Sequence, residues 1–273
     1  MYNKNVTLTT MFYIGNMLHD IYYNLGFDEK KGNFQENNFE KGGKGNDAMI
    51  LRAYIDECTE EQKRKDELCD YPYPYTTASV DGIPPAIFLP KVDNMRGKGG
   101  GRVSSGVINH VLIHEYTHAV FARIGGGPNY DCGLVDATVD AAALNEGYSD
   151  FFSAALQYDK KKYVDRNTVV VLDNINSGNS VTCDSDRKYS NLRVIRDTDT
   201  SYYEGGDVWK TMLYDAFFNI IENYPSSDDY LKIYDDDSIP GNVLFVIKIF
   251  YFIIIYNNLY IYTYIIHYEI FIN

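Results

Sequence analysis

Residues 108–128, INHVLIHEYTHAVFARIGGGP, constrain this chain more than any other stretch. They read as the body of a helix over 106–124, with Ser104 or Ser105 as the cap and Gly125-Gly126-Gly127-Pro128 as the stop. Inside it stands His114-Glu115-Tyr116-Thr117-His118. Residues four apart on a helix lie one turn apart on the same face, so both imidazoles can point a ring nitrogen at one ion, about 2.0–2.1 Å from each. Glu115 lies beside such an ion rather than on it. There it can take a proton from attacking water, the general-base role of Glu in H-E-x-x-H. His110 extends the row upstream but lies about 12 Å from His118 along the axis, too far to share one ion, and reads as a bystander.

A catalytic zinc takes a third protein ligand and keeps one position open. The candidate lies in DAAALNEGYSDFF, within a second helix expected over 136–157. Glu146 would coordinate. Asp150, four residues on, would accept the other ring N–H of a ligating histidine and so fix its tautomer. Glu-x-x-x-Asp alone is a weak signal, because helices are full of acids at that spacing; downstream of H-E-x-x-H it is a strong one.

The rest of the chain bounds the possibilities. With 25 basic and 38 acidic residues among 273, the net charge is −13, the wrong sign for a general nucleic-acid or anionic-membrane binder. Cys58, Cys69, Cys132 and Cys183 form no C-x-x-C pair, which argues against a zinc knuckle or a thioredoxin-type redox site. Their even count fits two disulfides in an oxidising compartment or free thiols, and three pairings are possible. Asn5-Val6-Thr7 is a lone glycosylation sequon. The first twenty residues show no positive region, apolar run and cleavage site of an export signal.

A first helix is expected over 9–25 from the mostly helical spacing of Met11, Phe12, Ile14, Met17, Leu18, Ile21 and Leu25, stopped by Gly26. A glycine- and asparagine-rich loop follows over 26–48, then a short apolar run at Ala48–Ile55 and a charged insertion at 56–70. IPPAIFLPKV holds a brief strand between prolines, and RGKGGGR at 96–102 lacks the phosphate-loop spacing and reads as a flexible loop. A third helix is expected over 206–223, with Val208, Trp209, Met212, Leu213, Ala216, Phe217 and Ile220 on one face. Residues 241–273 are nearly all Ile, Tyr, Phe and Asn, residues with A/T-rich codons, and are expected to lie outside the folded domain. Translated non-coding sequence is the leading expectation for them; a membrane tail is the alternative, interrupted by Lys248 and Asn257-Asn258.

HEYTH, GGP and EGYSD, together with FYIGNMLHDIYYNLGFDEKKGNFQENNFEKGGKGNDA upstream, resemble the fungalysin family of secreted fungal metalloendopeptidases. The upstream stretch follows the family pattern F-Y-x-x-N-x-x-H-D-x-x-Y-x-x-G-F-x-E-x-x-G-N-F-Q. The resemblance covers about 8–48, 81–90 and 106–160, and GGDVWKTMLYDAF more loosely. It implies an α+β, thermolysin-like zincin of two lobes within residues 1–240, about 1–128 and 129–240, the second mainly helical. It also implies one Zn2+ held by His114, His118 and Glu146, with Glu115 as base and acid and Asp150 behind a ligand. Substrates would be proteins or peptides, and the protein would be extracellular. Family members carry a signal peptide and a long inhibitory propeptide, and neither pattern is found here. His19-Asp20 is the family's helix pair, read as a buried structural hydrogen bond.

Three features depart from the family: the missing leader segments, and two changes near the site. Where the family reads N-A-N-F, an edge strand that holds substrate backbone, this chain has YPYTTASVDG, and Pro74 cannot donate a backbone bond. Where a histidine is expected before G-x-V-W, this chain has SYYEGGDVWK, with Tyr203 at the matching place. Losing one oxyanion donor typically costs about 2.7–4 kcal/mol, unless a phenol of Tyr203 or Tyr202 replaces it. The expected function is a zinc-dependent metalloendopeptidase; the alternative is a zinc-binding but catalytically impaired member of the same family. A membrane-anchored interaction protein is a third reading and rests on the tail alone.

Overall fold

The computed structural model describes residues 4–53, 59–61, 71, 73–93, 102–125, 127–129, 139–158, 170–171, 180–181 and 202–223. Helix α1 spans Lys4–Asn24 and buries Met11, Ile14, Leu18, Ile21 and Tyr22 on one stripe. It starts five residues before the expected 9–25, because its first turn is mostly polar and leaves no mark in an apolar pattern.

Helix α2 spans Asn109–Gly125. It begins later than expected because Ser104 caps a separate 3-10 turn, Ser105–Val107, its Oγ accepting from the Gly106 N–H at 3.3 Å. Helix α3 spans Val139–Leu156 and helix α4 spans Tyr202–Asn223, four residues longer at its start than periodicity suggested.

Three short strands form one sheet: β1 (Ile50–Ala53), β2 (Tyr75–Thr77) and β3 (Ala86–Leu89), in the order β1-β3-β2. β1 runs parallel to β3 and β2 antiparallel to it, with Thr76 opposite Ile87. The apolar run at Ala48–Ile55 thus becomes β1, and the IPPAIFLPKV strand becomes β3. Pro90 then separates β3 from β4 (Lys91–Asp93), which pairs antiparallel with β5 (Arg102–Ser104). A final pair, β6 (Val170–Val171) and β7 (Ser180–Val181), is also antiparallel. The architecture is mixed α and β, with helices dominating after residue 109.

α2 is buried nearly all round: Leu112, Ile113, Tyr116, Ala119, Val120 and Ile124 share its surface with His110, Glu115, Thr117, His118 and Arg123. Each buried polar group on such a helix needs a partner, so the helix that holds the core also carries a set of buried hydrogen bonds. Tyr22 shows how α1 is fixed against it. The ring stacks on Tyr116 at 5.7 Å, and its hydroxyl lies 2.6 Å from Thr117 Oγ1. Thr117 gives its own proton to the Ile113 carbonyl, so Tyr22 is the donor. Leu18, Ile87, Leu112, Phe151 and Phe217 join α1, β3, α2, α3 and α4 in one apolar cluster.

All four cysteines, most of the 56–70 insertion, nearly all of RGKGGGR and the whole of 241–273 lie outside the described residues. Among the described residues no helix is long and apolar enough to cross a membrane.

Candidate metal centre

α2 and α3 cross so that three atoms converge. His114 Nε2 and His118 Nε2 are 2.9 Å apart, and Glu146 Oε2 lies 3.2 Å from the first and 3.7 Å from the second. Zinc bonds of about 2.0–2.1 Å at tetrahedral angles separate their ligand atoms by about 3.3–3.4 Å, so this triangle has the size of one face of such a site.

The other ring nitrogens are already committed. His114 Nδ1 donates to Asp150 Oδ1 at 2.8 Å. His118 Nδ1 lies 3.0 Å from both Asn145 Oδ1 and Ser149 Oγ, buried groups of α3. With both Nδ1 atoms protonated, two bare Nε2 lone pairs face each other and a carboxylate. That arrangement repels itself unless a cation stands between them. The donor set of two imidazoles and one carboxylate suits zinc.

The electrostatics say the same. Burial opposes charge on His114, but hydrogen bonds to Asp150 and Glu146, and their negative charges, outweigh it and raise its pKa well above the ordinary 6.5. Burial would raise Glu146, yet the hydrogen bond from His114 and the two imidazole charges keep it below the ordinary carboxylate value. In the metal-free chain a proton serves as the cation. Protonated His114 therefore adds stability that is complete below pH 6.5 and is lost as the pH rises through its raised value. A metal must displace that proton. The rise in melting temperature on adding zinc is accordingly expected to be larger at about pH 8 than at about pH 5.5. Thermal melts with and without zinc at both values check this; equal shifts would contradict it.

Asp150 is anchored from the far side. Lys210 of α4, buried, donates from Nζ to Asp150 Oδ2 at 3.1 Å and to Asp207 Oδ1 at 2.7 Å. Burial would raise the Asp150 carboxyl, but the hydrogen bond from His114 and the charges of His114 and Lys210 hold it well below the usual range, so it stays a carboxylate. Lys210 and Asp207 lie within GGDVWKTMLYDAF, but no spacing there assigns them a role; the packing of α4 on α3 brings them to Asp150.

Two glycines permit that packing. A Cβ on Gly206 would meet Glu146 Cβ at 2.9 Å, and one on Gly147 would meet the Gly206 carbonyl oxygen at 2.7 Å. Gly206→Ala is expected to cost ~1–3 kcal/mol of stability, because α4 must move off the turn that carries Glu146. Denaturant unfolding measures it, and an unchanged midpoint would show that the contact is slack.

His110 is not idle. Burial pushes its pKa down to about 3, leaving it neutral, and its Nδ1 hydrogen-bonds Ser153 Oγ. Its Nε2 lies 3.8 Å from Asp150 Oδ1, so His110, His114 and Asp150 form a second group of possible ligands. His114 Nδ1 already spends its proton on Asp150, so the trio is a hydrogen-bonded support rather than a second centre. His19-Asp20 needs a correction. The 3.1 Å contact exists and His19 also reaches Gln35, but Asp20 is 72% exposed, so this is a surface bond. It lies on the outward side of α1, where the helix end leaves the carboxylate in water.

Glu115 is only 6% exposed, and its Oε2 accepts from Thr76 Oγ1 of β2 at 2.7 Å. The strand expected to differ from the family thus reaches the predicted base. Tyr203 stands in the first turn of α4, four residues before Asp207 on the same face, and is 57% exposed. The structure brings His114, His118, Glu146 and Asp150 into direct contact and sets Glu115 next to them in sequence; Tyr203 is at the solvent-facing end of α4.

The chain is similar to known proteins along most of its length. The model of the fungalysin metallopeptidase family (M36) matches residues 1–251. The probable extracellular metalloproteinase 5 of Trichophyton verrucosum is 30% identical over 238 residues, covering 85% of this chain and 34% of the relative. The extracellular metalloproteinase NpIII of Aspergillus oryzae is 28% identical over 246 residues, covering 86% of this chain and 35% of the relative. The extracellular metalloproteinase of Pyrenophora tritici-repentis is 30% identical over 243 residues, with coverages of 86% and 34%. The chain therefore spans about a third of the length of the curated relatives it matches. With the match running over nearly all its residues, the chain belongs to the fungalysin metallopeptidase family.

Proposed function

We propose that this chain is a zinc-dependent metalloendopeptidase that acts outside the cell on protein or peptide substrates. The observation that carries the proposal is the convergence of His114 Nε2, His118 Nε2 and Glu146 Oε2 while both Nδ1 atoms are held elsewhere. These three residues would hold one Zn2+. Bound there, zinc would supply Lewis acidity, lowering the pKa of water and polarising a peptide carbonyl.

The remaining work falls to the chain's own residues. Glu115 takes the proton from the attacking water on its carboxylate and passes it to the leaving amine. Asp150 and Asn145 keep the two imidazoles in the tautomer that presents Nε2. Tyr203 is assigned as the phenol that donates to the carbonyl oxygen of the substrate, in place of the histidine expected there. In this reading residues 1–240 form a thermolysin-like catalytic region, with lobes of about 1–128 and 129–240 flanking the substrate cleft. The presence of the sheet before α2 and of helices after it supports that division.

The test is cleavage of an unstructured protein by the purified chain. Activity should vanish on dialysis against a chelator and return with about one equivalent of zinc. Cleavage indifferent to the chelator, or none from a folded zinc-loaded chain, would overturn the proposal.

A further inference from the structure

We infer that Thr76 is a positioning residue for Glu115, coupling the carboxylate to the edge strand along which a peptide would lie. The inference rests on the peptidase reading above and goes beyond it by naming what holds the base.

Among the described residues β2 stands at the end of the strand order, hydrogen-bonded to β3. Side chains alternate along a strand, so Thr76 faces one way and its two neighbours the other. Tyr75 stacks on Phe88 with ring centroids 4.5 Å apart, and Thr77 Oγ1 accepts from the Ala86 N–H at 3.1 Å. These contacts clamp the short strand to β3 on one face. On the other face Thr76 meets α2: its Oγ1 lies 2.7 Å from Glu115 Oε2 and 2.8 Å from the Glu115 carbonyl oxygen.

A hydroxyl has one proton, so Thr76 donates to one of these oxygens at a time. It can also accept, which lets the carboxyl group keep the same partner after it has taken up a proton. Thr76 is the hydrogen-bond partner of the Glu115 carboxylate among the described residues, and Glu115 is buried. The bond therefore selects the rotamer of the base. Because Thr76 belongs to the edge strand, a peptide added to that edge shares a rigid frame with the group that must deliver its proton. The proline at position 74 stands one residue before the strand, which leaves Tyr75–Thr77 as the paired segment.

The test uses the full chain loaded with zinc, in Thr76→Val, which keeps the shape and removes the hydroxyl, and Thr76→Ser, which keeps the hydroxyl. Misplacing a catalytic group by about 1 Å can cost on the order of 10²-fold. Thr76→Val is expected to lower kcat by ~10- to 100-fold, with KM, zinc content and melting temperature near wild type. Thr76→Ser should recover kcat to within a few-fold. In a Glu115→Gln background the valine change should cause no further loss. If the valine variant melts early, Thr76→Ala removes the same hydroxyl and is judged by the same outcomes.

A readout independent of turnover is the infrared carboxylate band that disappears in Glu115→Gln. It should shift in Thr76→Val and stay in place in Thr76→Ser. A wild-type kcat and unshifted band in Thr76→Val, a serine variant as slow as the valine one, or an equal loss in the Glu115→Gln background would overturn the inference. A wild-type chain that binds zinc and cleaves nothing would instead overturn the peptidase reading, and the infrared band would still decide the role of Thr76.

Discussion

Arg123→Ala is expected to abolish cooperative folding. The guanidinium near the end of α2 is 1% exposed, and every one of its nitrogens has an acceptor, in buried bonds to Asp47 and Gly32 and half-buried ones to Ser79, Val80 and Ile83. Nη1 donates to Asp47 Oδ2 and to the Gly32 carbonyl, both at 2.6 Å. Nε reaches the Ser79 carbonyl at 2.8 Å, and Nη2 reaches those of Val80 and Ile83 at 3.0 and 2.9 Å. The group also lies 4.9 Å from the centre of the Phe34 ring. One side chain thus ties α2 to the 26–48 loop and to the turn that follows β2. Removing one partner of a buried ion pair typically costs ~3–5 kcal/mol, and the buried Gly32 carbonyl left unpaired adds about 1–3 kcal/mol. A domain has about 5–15 kcal/mol in total, so the loss is comparable to the whole stability. Lysine offers a point charge in place of a fork and should rescue little. Circular dichroism during urea unfolding checks this; a cooperative transition within about 1 kcal/mol of wild type would show that the network is dispensable.

Glu115→Gln is expected to reduce kcat by at least ~10²–10⁴-fold while the chain still binds zinc. The amide keeps the size of the carboxylate and can still accept from Thr76, so neither α2 nor β2 has reason to move. It cannot take a proton from water at neutral pH. His114, His118 and Glu146 are untouched, so the metal should remain. Loss of activity together with loss of metal would mean that the substitution disturbs α2 rather than the proton transfer. Activity within ten-fold of wild type would remove Glu115 from the role of base.

The parts legible in the sequence were those with a local cause. The apolar stripe of α1, the shared face of His114 and His118, and that of Glu146 and Asp150 follow from helix spacing; that the two helices turn these faces toward each other is a matter of packing, by which the four side chains come together. Helix starts were harder. The first turn of α1 is polar, and Ser104 caps a 3-10 turn before α2, so neither boundary registers in an apolar pattern. The supports of the site were invisible for a different reason. Thr76 precedes Glu115 by 39 residues, and Lys210 follows Asp150 by 60. Their partners are chosen by how β2 and α4 pack, which no spacing rule encodes. Lys210 looks like a solvated charge on a helix, yet it is buried against Asp150 where α4 packs on α3, and the glycines at 147 and 206 leave room for that close packing. His19-Asp20 erred the other way: a pair that looks structural in sequence is a surface contact, because that face of α1 meets water.

The most direct test of the central claim is metal stoichiometry. The folded wild-type chain, loaded with zinc and freed of excess by gel filtration, should hold one ion by elemental analysis. His118→Ala and Glu146→Gln should each lose it while keeping the wild-type circular dichroism spectrum. A folded wild-type chain without zinc, or variants that retain it in full, would contradict the assignment of these residues as a metal centre.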